Sequence, residues 1–524
     1  MTAHGDQILA VDVGTQSVRA HVIAPDGRFT GSARIPIEAY RSPRPGQAEQ
    51  DPGLYWTAMG AAIRASLADP AVQVDAIAGM TVTTQRNTIV VTDAEGTPLR
   101  PAIVWLDDRR TAGLPPFGGV GGVTALAFRL LRLRDTIDDF AAACEANWLR
   151  VHEPDTWRRI RHYLFLSGWL AHRLTGRFVD SAAAQVGYVP FDYRRFRWAR
   201  SGDWRWTVAP VDRDWLPDLV APTEPLGALT AAPAAELGLP VGLPVIASAS
   251  DKACEVLGTG AILPSVGAIS YGTAASVSMT LDRYAEAIPL VPPFPSAVPG
   301  RWSSEIQVYR GYWMVEWFKR EFGAHEVARA AELGVAPEVL FDELVASVPA
   351  GSMGLMLQPY WTPGIRITGP EAKGAIIGFG DVHTRAHVYR AILEGVAYAL
   401  RDGLERTAQR THVTPTGLRI AGGGAQSAAV TQLTADVFGL PVARGRTHEA
   451  SGLGAAIDAA VGLGIHRDIA AAVDAMVHVG EVRDPDPGDQ ARYDELYREV
   501  YRRMYPRLRP LYRDIRRITG YPPG

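Results

Sequence analysis

Two stretches of this chain, about half its length apart, follow one plan, and that repetition limits the fold more than any other feature. Ile8 to Val13 is an apolar run ending on the turn Gly14-Thr15, and Val18 to Ala24 is a second strand closed by Pro25-Asp26-Gly27. Ala268 to Ser278 repeats it: a short strand, Gly272-Thr273, then small and β-branched residues leading into another strand. Self-similarity at this separation describes two similar lobes. The 524 residues suffice for them, and 47% hydrophobic against 21% charged residues, with 52 Gly and 38 Pro, exclude a coiled coil or a mostly disordered chain.

Between the two hairpins, strands and helices alternate, which makes the fold class α/β. The spacing predicts a helix over Pro52 to Leu67 and a strand over Ile77 to Thr83 running into the polar Thr84-Gln85-Arg86-Asn87. A strand follows over Ile89 to Thr92, and a helical pattern over Trp157 to Leu174 stops at Thr175-Gly176. Downstream the pattern gives a long helix over Ala386 to Glu405, a strand over Leu418 to Ala421, the turn Gly422-Gly423-Gly424 and a helix over Ala428 to Phe438. The lobe boundary is placed near Ser248, giving an N-terminal lobe 1–248, a C-terminal lobe 249–485, and a tail 486–524. In the tail, Tyr493, Leu496, Tyr497, Val500, Tyr501 and Met504 mark a packing helix that Pro506 is expected to interrupt.

A Gly-Thr turn directs backbone N–H groups and a hydroxyl into a concavity suited to phosphate oxygens, and two copies are expected to grip phosphates from opposite sides. Asp12, two residues before the first turn, needs a countercharge in its strand, which a nucleotide's magnesium would supply. Gly422-Gly423-Gly424-Ala425-Gln426-Ser427 departs from GxGxxG at its last place, and no acid ends the next strand, so it suits a nucleoside pocket better than a dinucleotide site. No lysine follows a glycine, so the chain is not a P-loop enzyme. Asp251-Lys252 follows the apolar strand at the expected lobe boundary. There the carboxylate either deprotonates an attacking hydroxyl or simply caps the helix Ala253 to Leu257. Arg86, Asn87, Asp107 and Arg109 are the donors and acceptors a polyhydroxylated ligand demands, although surface ion pairing explains Asp107-Asp108-Arg109-Arg110 equally well. His383 and His387 lack a third metal ligand and are expected as solvent-exposed histidines near a helix start.

A net charge of -3 gives no positive field for nucleic acid or an anionic membrane, no apolar run is long enough to span a bilayer, and the N-terminus lacks a basic n-region. Cys144 and Cys254 are the only cysteines, too few for a disulfide framework, so a cytoplasmic setting is expected, with no nucleic-acid or membrane partner. Three lysines, Lys252, Lys319 and Lys373, stand among 53 Lys+Arg, and two of them fall near the segments discussed here.

Several of these segments together resemble the FGGY family of carbohydrate kinases. Asp12-Val13-Gly14-Thr15-Gln16-Ser17-Val18-Arg19 is similar to its phosphate hairpin, Trp105-Leu106-Asp107-Asp108-Arg109 to its WxDxR segment, and Ala249-Ser250-Asp251 to the strand end with its catalytic aspartate. Gly374 to Gly378 with His387 to Glu394 fits its C-terminal signature apart from Phe379, and Gly452-Leu453-Gly454-Ala455-Ala456 follows in order. The resemblance implies two actin-like (ribonuclease H-like) lobes, each a mixed sheet flanked by helices, and transfer of phosphate from ATP to a sugar, polyol or sugar acid. It implies Asp251 as general base and Asp12 and Asp251 as magnesium ligands through water. Asp12, Gly14, Thr15, Gln16, Gly272, Thr273, Gly423, Gly424 and Ser427 would bind ATP, and Gln85, Arg86, Asn87, Trp105, Asp107, Trp148 and Asp251 the acceptor. Arg86-Asn87 matches neither the Arg-Glu of glycerol kinases nor the Met-His of xylulose kinases, and Glu145-Ala146-Asn147-Trp148 carries glutamate where the family signature has lysine. A sensor without turnover and a phosphohydrolase on the same fold are the alternatives. The oligomeric state is left open, with a homodimer as one option.

Overall fold

A computed structural model describes residues 5–521 except 39, 116–133, 290 and 363–367. The chain divides into two compact units, the first made of Met1–Gly258, Phe294–Arg301 and Glu449–Val477, the second of Thr259–Pro293, Trp302–His448 and His478–Gly524. A single cut near Ser248 does not reproduce this division, because Asp251 and the helix Ala450–Gly462 both belong to the first unit.

The sheet of the first unit contains β1 (Gln7–Val13), β2 (Ser17–Ile23), β3 (Phe29–Pro36), β4 (Ile77–Thr84), β5 (Pro225–Ala228) and β6 (Pro244–Ile246), in the spatial order β3-β2-β1-β4-β6-β5. β1 pairs antiparallel with β2 and parallel with β4, and β4 pairs parallel with β6. Burial on both faces explains why β1 reads as an unbroken apolar run instead of alternating. Helix Pro52–Leu67 packs on β2 and β3, and helix Ala450–Gly462 on β1 and β4.

In the second unit the sheet runs through β7 (Val266–Tyr271), β8 (Ala275–Leu281), β9 (Trp302–Val308), β10 (Gly417–Ala421), β11 (Val442–Gly445) and β12 (Val479–Arg483), in the order β9-β8-β7-β10-β11-β12. β7 is antiparallel to β8 and parallel to β10, and β10 is parallel to β11. Over these six strands the pairing plan of the first unit recurs, except that the outer strand β5 precedes its neighbour in the chain, whereas β12 follows its own.

Two segments differ from their sequence patterns. Trp157 to Leu174 is not one helix: helix Pro154–Arg159 gives way to a strand, His162–Phe165, before helix Leu166–Thr175. The aromatic, β-favouring His-Tyr-Leu-Phe run finds a partner in Ile89–Thr92, and that pairing overrides the helical spacing. Pro506 does not end the C-terminal helix either, since Arg502–Thr519 contains both Pro506 and Pro510. A π-helical turn at Tyr497–Tyr501 directly precedes that helix. Tyr493, Tyr497, Tyr501 and Met504 are buried in the core of the second unit.

Candidate active site

In the main sheet of the first unit, β1, β4 and β6 each lead to a predicted site residue at the carboxyl end, the edge where open α/β sheets bind ligands. Asp12 stands on β1, opposite Arg19 of β2 and Thr83 of β4. The Gln85-Arg86-Asn87 turn follows β4, and Asp251 follows β6 at the first residue of helix Asp251–Gly258. Thr81 Oγ1 and Thr83 Oγ1 donate to the carbonyls of Ile246 (2.9 Å) and Ala249 (2.8 Å), tying β4 to the segment that leads to Asp251. Helix Asp251–Gly258 is held from its other side by a glycine crossing. A Cβ on Gly258 would lie 1.9 Å from the Ala450 carbonyl oxygen, and one on Gly454 would lie 1.8 Å from that of Cys254. Only bare glycines let these backbones meet, which accounts for the Gly-Leu-Gly-Ala-Ala motif and for the return of 449–477 to this unit.

Both carboxylates are electrostatically incomplete. Asp12 is buried with one ion pair, Arg19 Nη1 to Oδ2 at 3.0 Å, and burial outweighs that pair and raises its proton affinity. Glu449 adds a further upward push while sharing Arg19 at 3.4 Å. Burial pushes the Asp251 carboxyl up to about 6; Arg86 and Lys252 act against this, and the Asp12 charge adds to it. Its Oδ1 accepts from Lys252 N at 2.7 Å, so the helix-capping contact and an acid held for chemistry coexist in one residue. Burial raises both carboxyls and the Asp12 charge raises Asp251 further, a situation that a cation would relieve and that fits a magnesium ion held largely through water. No cluster of three or more His, Cys, Asp or Glu able to hold a metal occurs among the described residues.

The first Gly-Thr turn is braced from below. Gly14 N donates to Ser17 O at 3.1 Å and Gln85 N to Val13 O at 3.0 Å, while Trp105 Nε1 donates to Thr15 Oγ1 at 2.7 Å. Thr15 Oγ1 in turn donates to Gln85 Oε1, whose amide nitrogen donates to Tyr55 Oη at 2.8 Å. The hydroxyl of Thr15 thus joins the turn to Gln85 and Trp105, and Gln16 is exposed at its tip. Arg86 lies over the Phe294 ring at 5.1 Å. Asn87 adopts φ +50°, the left-handed region, and its Nδ2 donates to Glu145 Oε1 at 2.9 Å.

Asp107 is committed to its own neighbours. Oδ1 accepts from Arg109 N and Nε, and Oδ2 from Arg109 Nη2 and Ala48 N, at 2.6 to 2.9 Å. Arg109 also reaches Glu49 at 2.8 Å and lies 4.3 Å from the ring centroid of Trp148. Asp107, Trp148 and Arg109 are brought together as a buried ion-pair and stacking cluster, with no carboxylate oxygen left over.

In the second unit the carboxyl ends of β7 and β10 carry the remaining predicted residues. Gly272 and Thr273 lie in the turn between β7 and β8, with Thr273 exposed. Gly423 is exposed and Gly424 is buried against Tyr312, where a Cβ would meet the ring at 2.2 Å. Ser427 caps helix Ala428–Phe438, accepting from Val430 N at 3.0 Å and donating to Asp342 Oδ1 at 2.7 Å. His387 accepts from Thr384 N at 3.1 Å in a capping arrangement at the expected helix start, but it is buried there and not solvent-exposed as expected, because it packs under the first turn it caps.

Sequence reading passed over Glu145 except as a departure from a motif, and over Glu449 beside Asp12. Arg19 was named only as the last residue of the phosphate-hairpin segment, without its role as the partner of Asp12. Glu449 had no signal, because it reaches the site from the far end of the chain.

The N-terminal domain of the FGGY family of carbohydrate kinases matches residues 7–258, and the C-terminal domain of that family matches residues 267–463. A xylulose kinase of Lactococcus lactis is 29% identical over 503 residues, 94% of this chain and 95% of the relative. An autoinducer-2 kinase of Escherichia coli is 29% identical over 507 residues, 93% of this chain and 92% of the relative. The crystal structure of a xylulose kinase from Rhodospirillum rubrum superimposes with a TM-score of 0.78 at 26% identity, covering 97% of this chain and 100% of that one.

Proposed function

The chain belongs to the FGGY family of carbohydrate kinases and transfers phosphate from ATP to a sugar hydroxyl; on that premise we propose that Asp251 is the general base of the transfer. One observation carries this reading: Asp251 is a carboxylate raised to about 6 at the strand edge that also holds Asp12 and the Gln85-Arg86-Asn87 turn. A base of that strength is ionised in about nine molecules of ten at pH 7, yet basic enough to accept a hydroxyl proton as its oxygen attacks. Asp251 takes the proton, the new P–O bond forms in line with the breaking one, and ADP leaves. Arg86 keeps Asp251 ionised and faces the acceptor with Gln85, Asn87 and Trp105, while Asp107 and Trp148 hold Arg109 behind them. The Gly14-Thr15-Gln16 and Gly272-Thr273 turns offer backbone donors to phosphate, and Gly423, Gly424 and Ser427 border the nucleoside. Magnesium, when bound, neutralises phosphate charge; Asp12 and Asp251 would hold it through water.

The relatives named above divide between xylulose and autoinducer-2, and Arg86-Asn87 is our reason to test the acceptor broadly. ADP release is measured against a panel of ketopentoses, aldopentoses, polyols and aldonates. Release that rises with one acceptor supports a kinase. Constant release without acceptor supports a phosphohydrolase, and none at all a sensor.

A further inference from the structure

Glu145 touches the turn that carries Arg86 and Asn87 but has no part in the phosphoryl chemistry. It opens helix Glu145–His152, is buried, and accepts from Asn87 Nδ2 at 2.9 Å through Oε1. Among the described residues its Oε2, which is buried, has no hydrogen-bond partner, and neither has Oδ1 of the same Asn87. Asn87 is held on its other flank by Gly187, where a Cβ would come within 2.2 Å of Oδ1. A non-glycine residue at φ +50° persists only where its surroundings enforce it, and here the enforcing contacts are Glu145 on one side and a bare glycine on the other.

We propose that Glu145 is a positioning residue of the acceptor pocket: its grip on Asn87 fixes the left-handed Arg86-Asn87 turn, and thereby sets affinity for the sugar and not the rate of transfer. The inference rests on the kinase reading above. The groups facing Glu145 are Asp107 and Arg109 from the ion-pair cluster, Tyr163 from strand His162–Phe165, and its neighbour Cys144. Burial pushes the Glu145 carboxyl up to about 7; its own backbone N–H and Asn87 oppose this, Asp107 adds to it and Arg109 opposes it. A proton on Oε2 turns an orphan acceptor into a donor, and Asn87 Oδ1 is the orphan acceptor on the residue already bound. Loss of that proton strengthens the bond from Asn87 Nδ2 but removes the second point of contact, and the turn, held at one point beside a buried anion with an unpaired oxygen, loosens. The grip therefore weakens as pH rises through neutrality.

The test uses full-length protein and whichever of D-xylulose, D-gluconate or glycerol the wild type phosphorylates fastest. Wild-type KM for the acceptor should rise between about pH 7 and 8.5 while kcat stays level. Glu145→Ala should raise that KM about tenfold with kcat within about twofold. Glu145→Gln, which keeps an acceptor and carries a permanent donor, should restore KM to within about twofold and flatten its pH dependence. In an Asn87→Ala background, Glu145→Ala should change nothing further. Additive effects in that double variant, or a pH-dependent KM that survives in Glu145→Gln, would overturn the assignment. A wild type that releases no acceptor-dependent ADP defeats the kinase reading itself, and a kinase whose KM ignores Glu145 defeats only this inference.

Discussion

Replacing Asp251 by Asn keeps the shape of the helix start and the bond from Lys252 N while removing the base. A positioned general base contributes about 10²- to 10⁴-fold, and with each tenfold worth about 1.4 kcal/mol the variant should lose about 3–5 kcal/mol of transition-state stabilisation. ATP affinity should stay within severalfold, since the lost group contacts the acceptor. The wild-type pH profile gives an independent reading of the same residue. With its carboxyl raised to about 6, kcat should be flat above neutrality and fall about tenfold per unit at lower pH, because protonation removes the base. Arg86 is the foremost influence opposing that rise, so Arg86→Met should shift the acid limb toward higher pH, whatever it does to acceptor KM. Steady-state ADP release over the pH range, with nucleotide binding followed separately, supplies all three quantities. Near-normal transfer by Asp251→Asn, or a wild-type profile flat down to pH 5, would refute the assignment.

Three further outcomes follow from the packing. Asp107→Ala removes one of the two carboxylates paired with a guanidinium that is 3% exposed, leaving Glu49, and should lower stability by about 1–3 kcal/mol in urea unfolding; a raised acceptor KM with unchanged stability would contradict its structural commitment. Gly424→Ala drives a methyl into Tyr312 and should lower stability by about 1–3 kcal/mol, so an unchanged melting temperature would contradict the packing of that loop. Asp458, fully buried in helix Ala450–Gly462, accepts from Ser248 Oγ at 2.9 Å, has an unpartnered Oδ1, and is held well above the usual carboxylate range by burial. A carboxyl raised on folding gives stability that is complete below its unfolded value and is lost as pH rises toward the folded one. Asp458→Asn should therefore melt higher than wild type at pH 8 and level with it at pH 4, and a gap that widens in acid would contradict the sign.

Much of the fold was legible because the central strands obey local rules. Buried strands such as Gln7–Val13 are continuous apolar runs, helix Pro52–Leu67 opens on an aspartate cap, and the duplicated Gly-Thr turns announced the repeated sheet plan. Asp12 and Asp251 could be singled out because a charged residue beside an apolar strand demands a reason. What was not legible depends on contacts distant in sequence. The return of Glu449–Val477 to the first unit rests on Gly258 and Gly454 meeting across 196 positions, and nothing local marks it. Strand His162–Phe165 exists because Ile89–Thr92 offers it an edge. Asp107 looked like a ligand-facing acid because sequence cannot show that Arg109 and Ala48 already occupy both its oxygens. Glu145 was hidden for the converse reason, since its importance lies in one bond to Asn87.

The account stands or falls on product formation. Incubated with ATP, magnesium and the acceptor panel, the protein should convert one acceptor to its phosphate ester with one ADP released per ester formed, and Asp251→Asn should abolish both together. Ester formation that persists in that variant, or ADP accumulating with free phosphate and no ester in the wild type, would contradict it.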